Sequence, residues 1–396
     1  MTVPGLGVNL YPWDVAGDPH CPDRIAGLGA DRVTLAAAYH TVRALSPRHP
    51  RRKVVTAGHS AVYYRPDPAH WRGSLLSPAE ASWAPGTFTE SAPRLREAGL
   101  KVYGWTILTH NQRLGTLHPE HAVVNAFGDP YPWALCVNSP AVRDYCARLA
   151  AEVAAQPDID GVELESCGWY GYDHLHAHDK TGAVAFDQDA KFLLNLCFCG
   201  HCEAWYARNA LDHLRDRVRD ALESVLRGDG GKDEDAAKLH AEIADEAGLL
   251  RIQAAAEFQA EMVEAVRGVR ADLPVLLHTS PDPLAVGANP GTTPDATFGA
   301  VLQCGGVRSQ DALTQLQTYA AAMAQASTKA GSEARSGLGA QPLAATVNIV
   351  AGMGSDRAGL ADWVAELRAA GAAELRLYHA GLASAADLEA VRAFAG

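Results

Sequence analysis

The chain has 396 residues, of which 48% are hydrophobic and 20% charged, and a formal net charge of −12. That composition supports a large buried core and excludes an intrinsically disordered chain. The acidic balance argues against nucleic acid and anionic membranes as partners, and no apolar run approaches the roughly 20 residues that a membrane helix needs.

From the first residue onward, short apolar runs alternate with amphipathic helical stretches, the pattern of repeated βα units around a parallel sheet. Strands are predicted at Leu6–Tyr11, Arg32–Ala37, Lys101–Thr106, Gly161–Glu165, Val275–His278, Ala300–Gln303, Ala344–Ile349 and Leu375–His379. Helices are predicted near Asp23–Leu28, Thr89–Ala98, Pro140–Ala155, Ala204–Leu226, Ala236–Val269, Ser309–Lys329, Leu360–Ala370 and Ala385–Phe394. Pro140 suits the first helical position with Ser139 as cap. Eight strands, each followed by a helix, predict an α/β protein: a closed (β/α)8 TIM barrel with long βα loops, forming a single domain over 1–396. An open doubly wound sheet is the alternative, but no Gly-x-Gly-x-x-Gly follows the first strand.

Three segments interrupt the pattern. An excursion at 40–86 is rich in Pro, Arg and aromatics, a long loop covers 108–139, and an aromatic and histidine-rich loop begins at 166. All three follow strand C-termini, the end at which barrel enzymes build active sites. Residues 228–237 read as a polar helix–helix turn and 327–341 as a mobile loop. The opening residues lack a basic region followed by an apolar one, so a cytoplasmic location with eight reduced cysteines is expected.

Cys197-Phe-Cys199-Gly-His-Cys202 places three thiols within six residues. Thiolates at this spacing converge on one tetrahedral ion, whereas the plain alternative is three buried apolar cysteines. The residues alone leave the fourth ligand open among Cys136, Cys146, Cys167, His201 and His178. Four protein ligands would make the metal structural.

The segment Ala134-Leu-Cys136-Val-Asn-Ser-Pro140-Ala-Val-Arg143 resembles the Cys-Pro-Asn-Ser-Pro-x-x-Arg segment of the family 42 β-galactosidases. The cysteine cluster after strand four is similar to their zinc site, and to that of related uncharacterised barrels resembling glycoside hydrolases. The resemblance is specific over about residues 128–206 and elsewhere rests on the barrel pattern. It implies Cys136, Cys197, Cys199 and Cys202 as ligands of a structural zinc, carried on loops 128–140 and 166–206.

In Asp160-Gly-Val-Glu163-Leu-Glu165, residues two apart share a strand face, so Glu163 and Glu165 point the same way. Facing inward, Glu165 would sit at the rim and Glu163 one layer below. The resembling hydrolases end strand four in Asn-Glu, whose Glu is the general acid. Glu165 is the nearest equivalent, two residues out of register, with Cys167 at the aligned position. The competing role for Glu165 is structural, as partner of an interior Arg376.

A second carboxylate is harder to find, although glycosidases use two, about 5–5.5 Å apart when retaining and about 6.5–9.5 Å when inverting. The related barrels carry a nucleophilic Glu at the end of strand seven, where this sequence reads Thr346-Val-Asn348. Asp14, Asp282 and Asp356 are the nearest substitutes.

Other strand ends carry groups suited to sugars. These are Tyr11, Trp13, Asp14, Tyr39, His40, Trp105, His110, Asn111, His278, Gln303, Asn348, Tyr378 and His379. Tyr172, His174 and His176 extend the set from the loop after strand four. His110, Glu165, His278 and Tyr378 are expected to line one pocket. The favoured reading is a glycoside hydrolase with Glu165 as acid/base and a small carbohydrate as substrate; a homo-oligomer is left open. Two alternatives are a metal-dependent isomerase or lyase using His174, His176 and His178, and a carbohydrate-binding pseudoenzyme.

Overall fold

The strand alternation closes into a ring. In the computed structural model, described for residues 5–174, 178–227, 234–282, 284–285, 287, 289–330 and 341–395, eight parallel strands form the barrel. They are β1 (Leu6–Leu10), β2 (Arg32–Tyr39), β3 (Lys101–Ile107), β4 (Gly161–Glu165), β5 (Val275–Thr279), β6 (Gly299–Gln303), β7 (Leu343–Asn348) and β8 (Glu374–Tyr378). Each pairs with the next, and β8 returns to pair with β1. Because helices cover the outer face, β1, β2, β4 and β5 are buried at every position, as near-continuous apolar strands require.

Helices Thr87–Glu97, Pro140–Ala154, Glu234–Val269, Gln310–Ala330, Leu360–Ala369 and Ala385–Ala395 follow β2, β3, β4, β6, β7 and β8. The rule of one helix after every strand fails at β5. Among the described residues, 280–298 contain no helix. The extra helical length lies instead between β4 and β5. There the single helix expected over 204–226 is two, Gly200–Arg208 and Leu214–Leu226, separated where Ala210 takes a left-handed φ of 60°. Pro140 opens its helix with Ser139 at the N-cap, but the Ser139 side chain makes no capping bond: its Oγ bonds His121 Nδ1 at 2.9 Å. No helix among the described residues is long and apolar enough to cross a membrane.

The excursion after β2 forms an antiparallel hairpin, Val42–Leu45 with Val54–Ala57, and a short strand, Ala61–Val62, that pairs with the end of β2. A second hairpin, Ala122–Val124 with Pro130–Leu135, follows β3 and delivers Cys136.

Inside the barrel, Tyr103, Leu276, Val301 and Ala344 pack together, but much of the remaining interior is ionic. Arg376 of β8 reaches Glu163 of β4 at 2.5 Å and Glu374 at 2.9 Å, and Glu374 in turn pairs with Arg32 of β2. Two glycines make room: a Cβ on Gly7 would lie 2.9 Å from the Arg32 side chain and 3.0 Å from Arg376, and one on Gly161 would strike the Tyr103 ring at 2.2 Å.

Candidate active site

Glu163 and Glu165 both point into the barrel, one layer apart, as their spacing requires. Their surroundings differ sharply. Burial alone would push the Glu163 carboxyl up, but the Arg376 guanidinium and His278 overwhelm it and hold it at about 2. Glu163 is therefore a fixed anion. Burial pushes Glu165 the other way, above the usual carboxylate range, with His278 and a hydrogen bond from Trp105 pulling against it. Trp105 Nε1 donates to Glu165 Oε2 at 2.7 Å. Arg376, considered above as the structural partner of Glu165, pairs with Glu163 instead. The chain turns sharply just after Glu165, where Ser166 takes a φ of 54°, a left-handed conformation that non-glycine residues seldom adopt.

Glu165 opens onto a cavity of 570 Å³ at the C-terminal mouth of the barrel, within the usual range for small-molecule sites. Its walls are aromatic. Trp105 lies parallel to His278 and to Tyr11, with centroids 6.1 and 6.4 Å apart, while Tyr39 and Tyr378 meet it edge-on at 4.8 and 6.3 Å. His40 and His174 complete one side. Among the described lining residues Glu165 is the single carboxyl, and none is Lys or Arg.

Of the residues expected here, Tyr11, Tyr39, His40, Trp105, Glu165, His174, His278, Gln303 and Tyr378 line the cavity. Others stand behind it. His110 is buried against His40 and His174, at centroid distances of 4.3 and 4.7 Å. Trp13 and His379 stack on Tyr11 at 4.4 and 4.2 Å, both fully buried. Asp14 is buried too: it accepts bonds from Ser46 Oγ and Tyr11 N, and Gly381 packs so tightly that a Cβ there would overlap its carboxylate. Burial pushes Asp14 up to about 6 and His379 down to about 3. Two asparagines serve turns. Asn111 Oδ1 caps a helix through Leu114 N while its Nδ2 donates to Tyr145, and Asn348 bonds Val350 N and Met353 O. Tyr172 donates to Thr181 O, and Asp282 is exposed and accepts from Leu284 N; neither lines the cavity. Asp356 lines a separate surface pocket with Arg308 and Glu366. His178 is exposed, and His176 lies outside the described residues.

The cavity also uses Val42, Ser280, Asn289 and Thr346, which the sequence reading passed over. Thr346 was findable: it shares its strand face with Asn348, one layer below. Ser280 directly follows β5. Asn289 comes from an irregular loop and carried no signal.

Cys136, Cys197, Cys199 and Cys202 are buried with their sulfurs all within 4.8 Å of one another, a group that could hold a metal ion. Cys136 Sγ lies 3.4, 3.7 and 3.6 Å from those of Cys202, Cys197 and Cys199, beyond the ~2.05 Å of a disulfide. Phe198 N donates to Val124 O at 2.7 Å, so the cluster ties the hairpin after β3 to the loop after β4. Among the described residues no other group of three or more metal-ligating side chains converges. Arg251 is buried nearby, facing Tyr206 and the cysteines; its Nη2 has no hydrogen-bond partner, and among the described residues no carboxylate pairs with it.

Such a barrel, with an acidic residue at the mouth of β4 and a cysteine cluster on the adjoining loops, has the fold of the glycoside-hydrolase barrels. The solved structures it resembles make this particular. The glycoside hydrolase domain of PgaB (BpsB) from Bordetella bronchiseptica matches with a TM-score of 0.58 and 16% identity, covering 100% of this chain and 99% of that one. α-L-Fucosidase isoenzyme 2 from Paenibacillus thiaminolyticus matches at 0.55 and 13%, covering 99% of this chain and 49% of that one. A β-galactosidase from Bacillus circulans sp. alkalophilus matches at 0.54 and 13%, covering 98% and 55%. The chain thus spans about half the length of the latter two. At these identities the likeness is one of fold. No family model matches the sequence, and no curated protein does.

Proposed function

We propose that this protein is a glycoside hydrolase acting on an uncharged carbohydrate, with Glu165 as general acid. The observation that carries the reading is the state of Glu165. It is the one carboxyl on the described cavity lining, and burial raises it toward the protonated form that a donor needs. The aromatic walls offer faces for sugar C–H groups, while the Gln303, Asn289, Ser280 and Thr346 side chains offer partners for hydroxyls. With no Lys or Arg on the described lining, no fixed cation there would neutralise an acidic sugar.

The partner of Glu165 is not a carboxylate at the end of β7, where Thr346 faces the cavity. That substitution favours the second reading, a carbohydrate-binding protein without hydrolytic activity. A panel of nitrophenyl glycosides of neutral sugars separates the two. Release of nitrophenol by the wild type, lost roughly 10²–10⁴-fold in Glu165→Gln, supports the hydrolase. Sugar binding by calorimetry with no turnover on any glycoside would leave only the binding protein.

The four cysteines are read as a structural zinc site. A tetrahedral zinc with Zn–S near 2.3 Å sets its sulfurs roughly 3.8 Å apart, close to the 3.4–3.7 Å found from Cys136. Four thiolates around Zn²⁺ carry two net negative charges, which supply the counter-charge that the buried Arg251 otherwise lacks. The zinc would brace the loops that flank the cavity and take no part in the reaction. Elemental analysis should find one zinc per chain; protein purified without chelator and free of zinc would end this assignment.

A further inference from the structure

A general acid must regain its proton after each donation, and the neighbours of Glu165 decide how. Those that face it are Trp105 from β3, His278 from β5, Glu163 beneath it on β4, Tyr39 from β2, Tyr378 from β8 and Tyr170 from the following loop. Trp105 can only donate. Burial drives all three tyrosines upward and keeps them protonated. Glu163 is a fixed anion. Imidazole is the side chain suited to taking up and releasing a proton near neutral pH.

The two ring nitrogens of His278 have different partners. Nε2 lies 3.1 Å from Glu163 Oε2. Nδ1 lies 3.7 Å from Glu165 Oε2 and has no hydrogen-bond partner of its own. With Arg376 at 2.5 Å holding Glu163 ionised, that carboxylate can only accept, so Nε2 must carry the hydrogen. The neutral ring then presents the Nδ1 lone pair toward Glu165.

We propose that His278 is a positioning residue through which Glu165 is reprotonated, with Glu163 and Arg376 fixing its tautomer. The proposal rests on the reading of Glu165 as general acid. Glu165 gives its proton to the departing glycosidic oxygen as the C–O bond breaks, and becomes a carboxylate. The water that completes hydrolysis bonds to the sugar through its oxygen and releases a proton. That proton is taken up at Nδ1, giving an imidazolium between two carboxylates, and passes to Glu165 Oε2 through one water bridging the 3.7 Å gap. One water is consumed, one glycosidic bond is hydrolysed, and the protein ends as it began. The 3.7 Å separation is too short for a sugar to lie between the two groups, which needs about 5 Å or more. His278 and Glu165 therefore act as one unit on one side of the bond.

The first test needs no variant: nitrogen NMR of histidine-labelled protein should show His278 with hydrogen on Nε2 and a bare Nδ1. The second follows the Glu165 carboxyl by carbon NMR. His278→Phe should shift its titration midpoint, because the ring nitrogen that faces it is gone. The third is kinetic. His278→Phe should lose roughly 10–100-fold more on glycosides with alkyl leaving groups, which need an acid, than on dinitrophenyl glycosides, which leave unaided. His278→Gln, which can still donate to Glu163 but cannot take up and release a proton, should behave the same way and guards against misfolding of the Phe variant. An Nδ1–H tautomer, an unmoved Glu165 midpoint, or equal losses on both leaving groups would overturn the relay. A wild type that cleaves no glycoside sinks the hydrolase reading alone, and the NMR midpoint then decides the His278–Glu165 coupling.

Discussion

Two glutamates sit two residues apart on one face of one strand and end in opposite states. Glu163 lies in the ionic interior among Arg376, Glu374 and Arg32, and is held ionised. Glu165 lies one layer higher, where the interior gives way to aromatic walls, and is pushed toward its neutral form. Both are buried, so burial is not what separates them. The difference is a guanidinium within reach of one and not the other. In the lower layer charge is fixed and structural; in the upper layer one proton is left free to move.

The largest expected effect tests the upper layer. Glu165→Gln should reduce turnover by roughly 10²–10⁴-fold with no loss of melting temperature. Activity and melting measured on one preparation check this, and a collapse of the fold would return Glu165 to a structural role.

The lower layer should answer in the opposite currency. Arg376→Met leaves Glu163 buried and uncompensated and should cost about 3–5 kcal/mol in denaturant unfolding. A loss below about 1 kcal/mol would mean that the interior charges are relaxed by water.

The pH dependence of stability should separate the glutamates by sign. Glu163 falls from its ordinary 4.5 to about 2 on folding, so it contributes stability above pH 4.5 that is lost as pH drops toward 2, about 3 kcal/mol in all. Glu165 rises on folding, so its contribution is present below its unfolded value and is lost as pH climbs through the folded one. Glu165→Gln should therefore match the wild type near pH 4 and exceed it in stability near neutrality. Unfolding curves across that range check both signs.

The smallest effect concerns the cysteine loops. Arg251→Met removes the cation beside the cluster and should weaken retention of the proposed zinc about tenfold in a chelator competition, with the cavity unaffected. Unchanged zinc affinity would make Arg251 a packing residue held by the Trp169 and Phe192 rings.

Much of this contrast was legible in the sequence, and for identifiable reasons. Strand periodicity alone put Glu163 and Glu165 on one face, and cysteine spacing with the Asn-Ser-Pro segment picked out the four sulfurs now found together. The ring of strands followed from apolar runs that need helices on one side and packing on the other. What could not be read depended on which contacts the folded chain makes, near or far in sequence. Asp14 looks like a rim carboxylate until Ser46 and Gly381 enclose it. Asn111 and Asn348 look like ligands for hydroxyls until the backbone of their own turns claims them. Arg376 was weighed as partner for Glu165; only the three-dimensional register showed that it reaches one layer lower. The absence of a helix after β5 was already legible, since no helical stretch was predicted between Val275–His278 and Ala300–Gln303; only the rule of one helix per strand was too broad.

The reach of Arg376 has a mechanical consequence. In a ring of eight strands, β4 and β8 are diametrically opposite, so the Arg376–Glu163 contact is a crossbar through the hoop. Hydrogen bonds between neighbouring strands would tolerate a slip by two residues, since such a shift preserves which side chains face inward. The crossbar would not, because it would then aim a cation at Glu165 or at Gly161, which has no side chain to pair with it and lies against the Tyr103 ring. One ion pair across the diameter thus fixes the stagger of the whole barrel and, with it, the height at which Glu165 meets whatever enters the mouth.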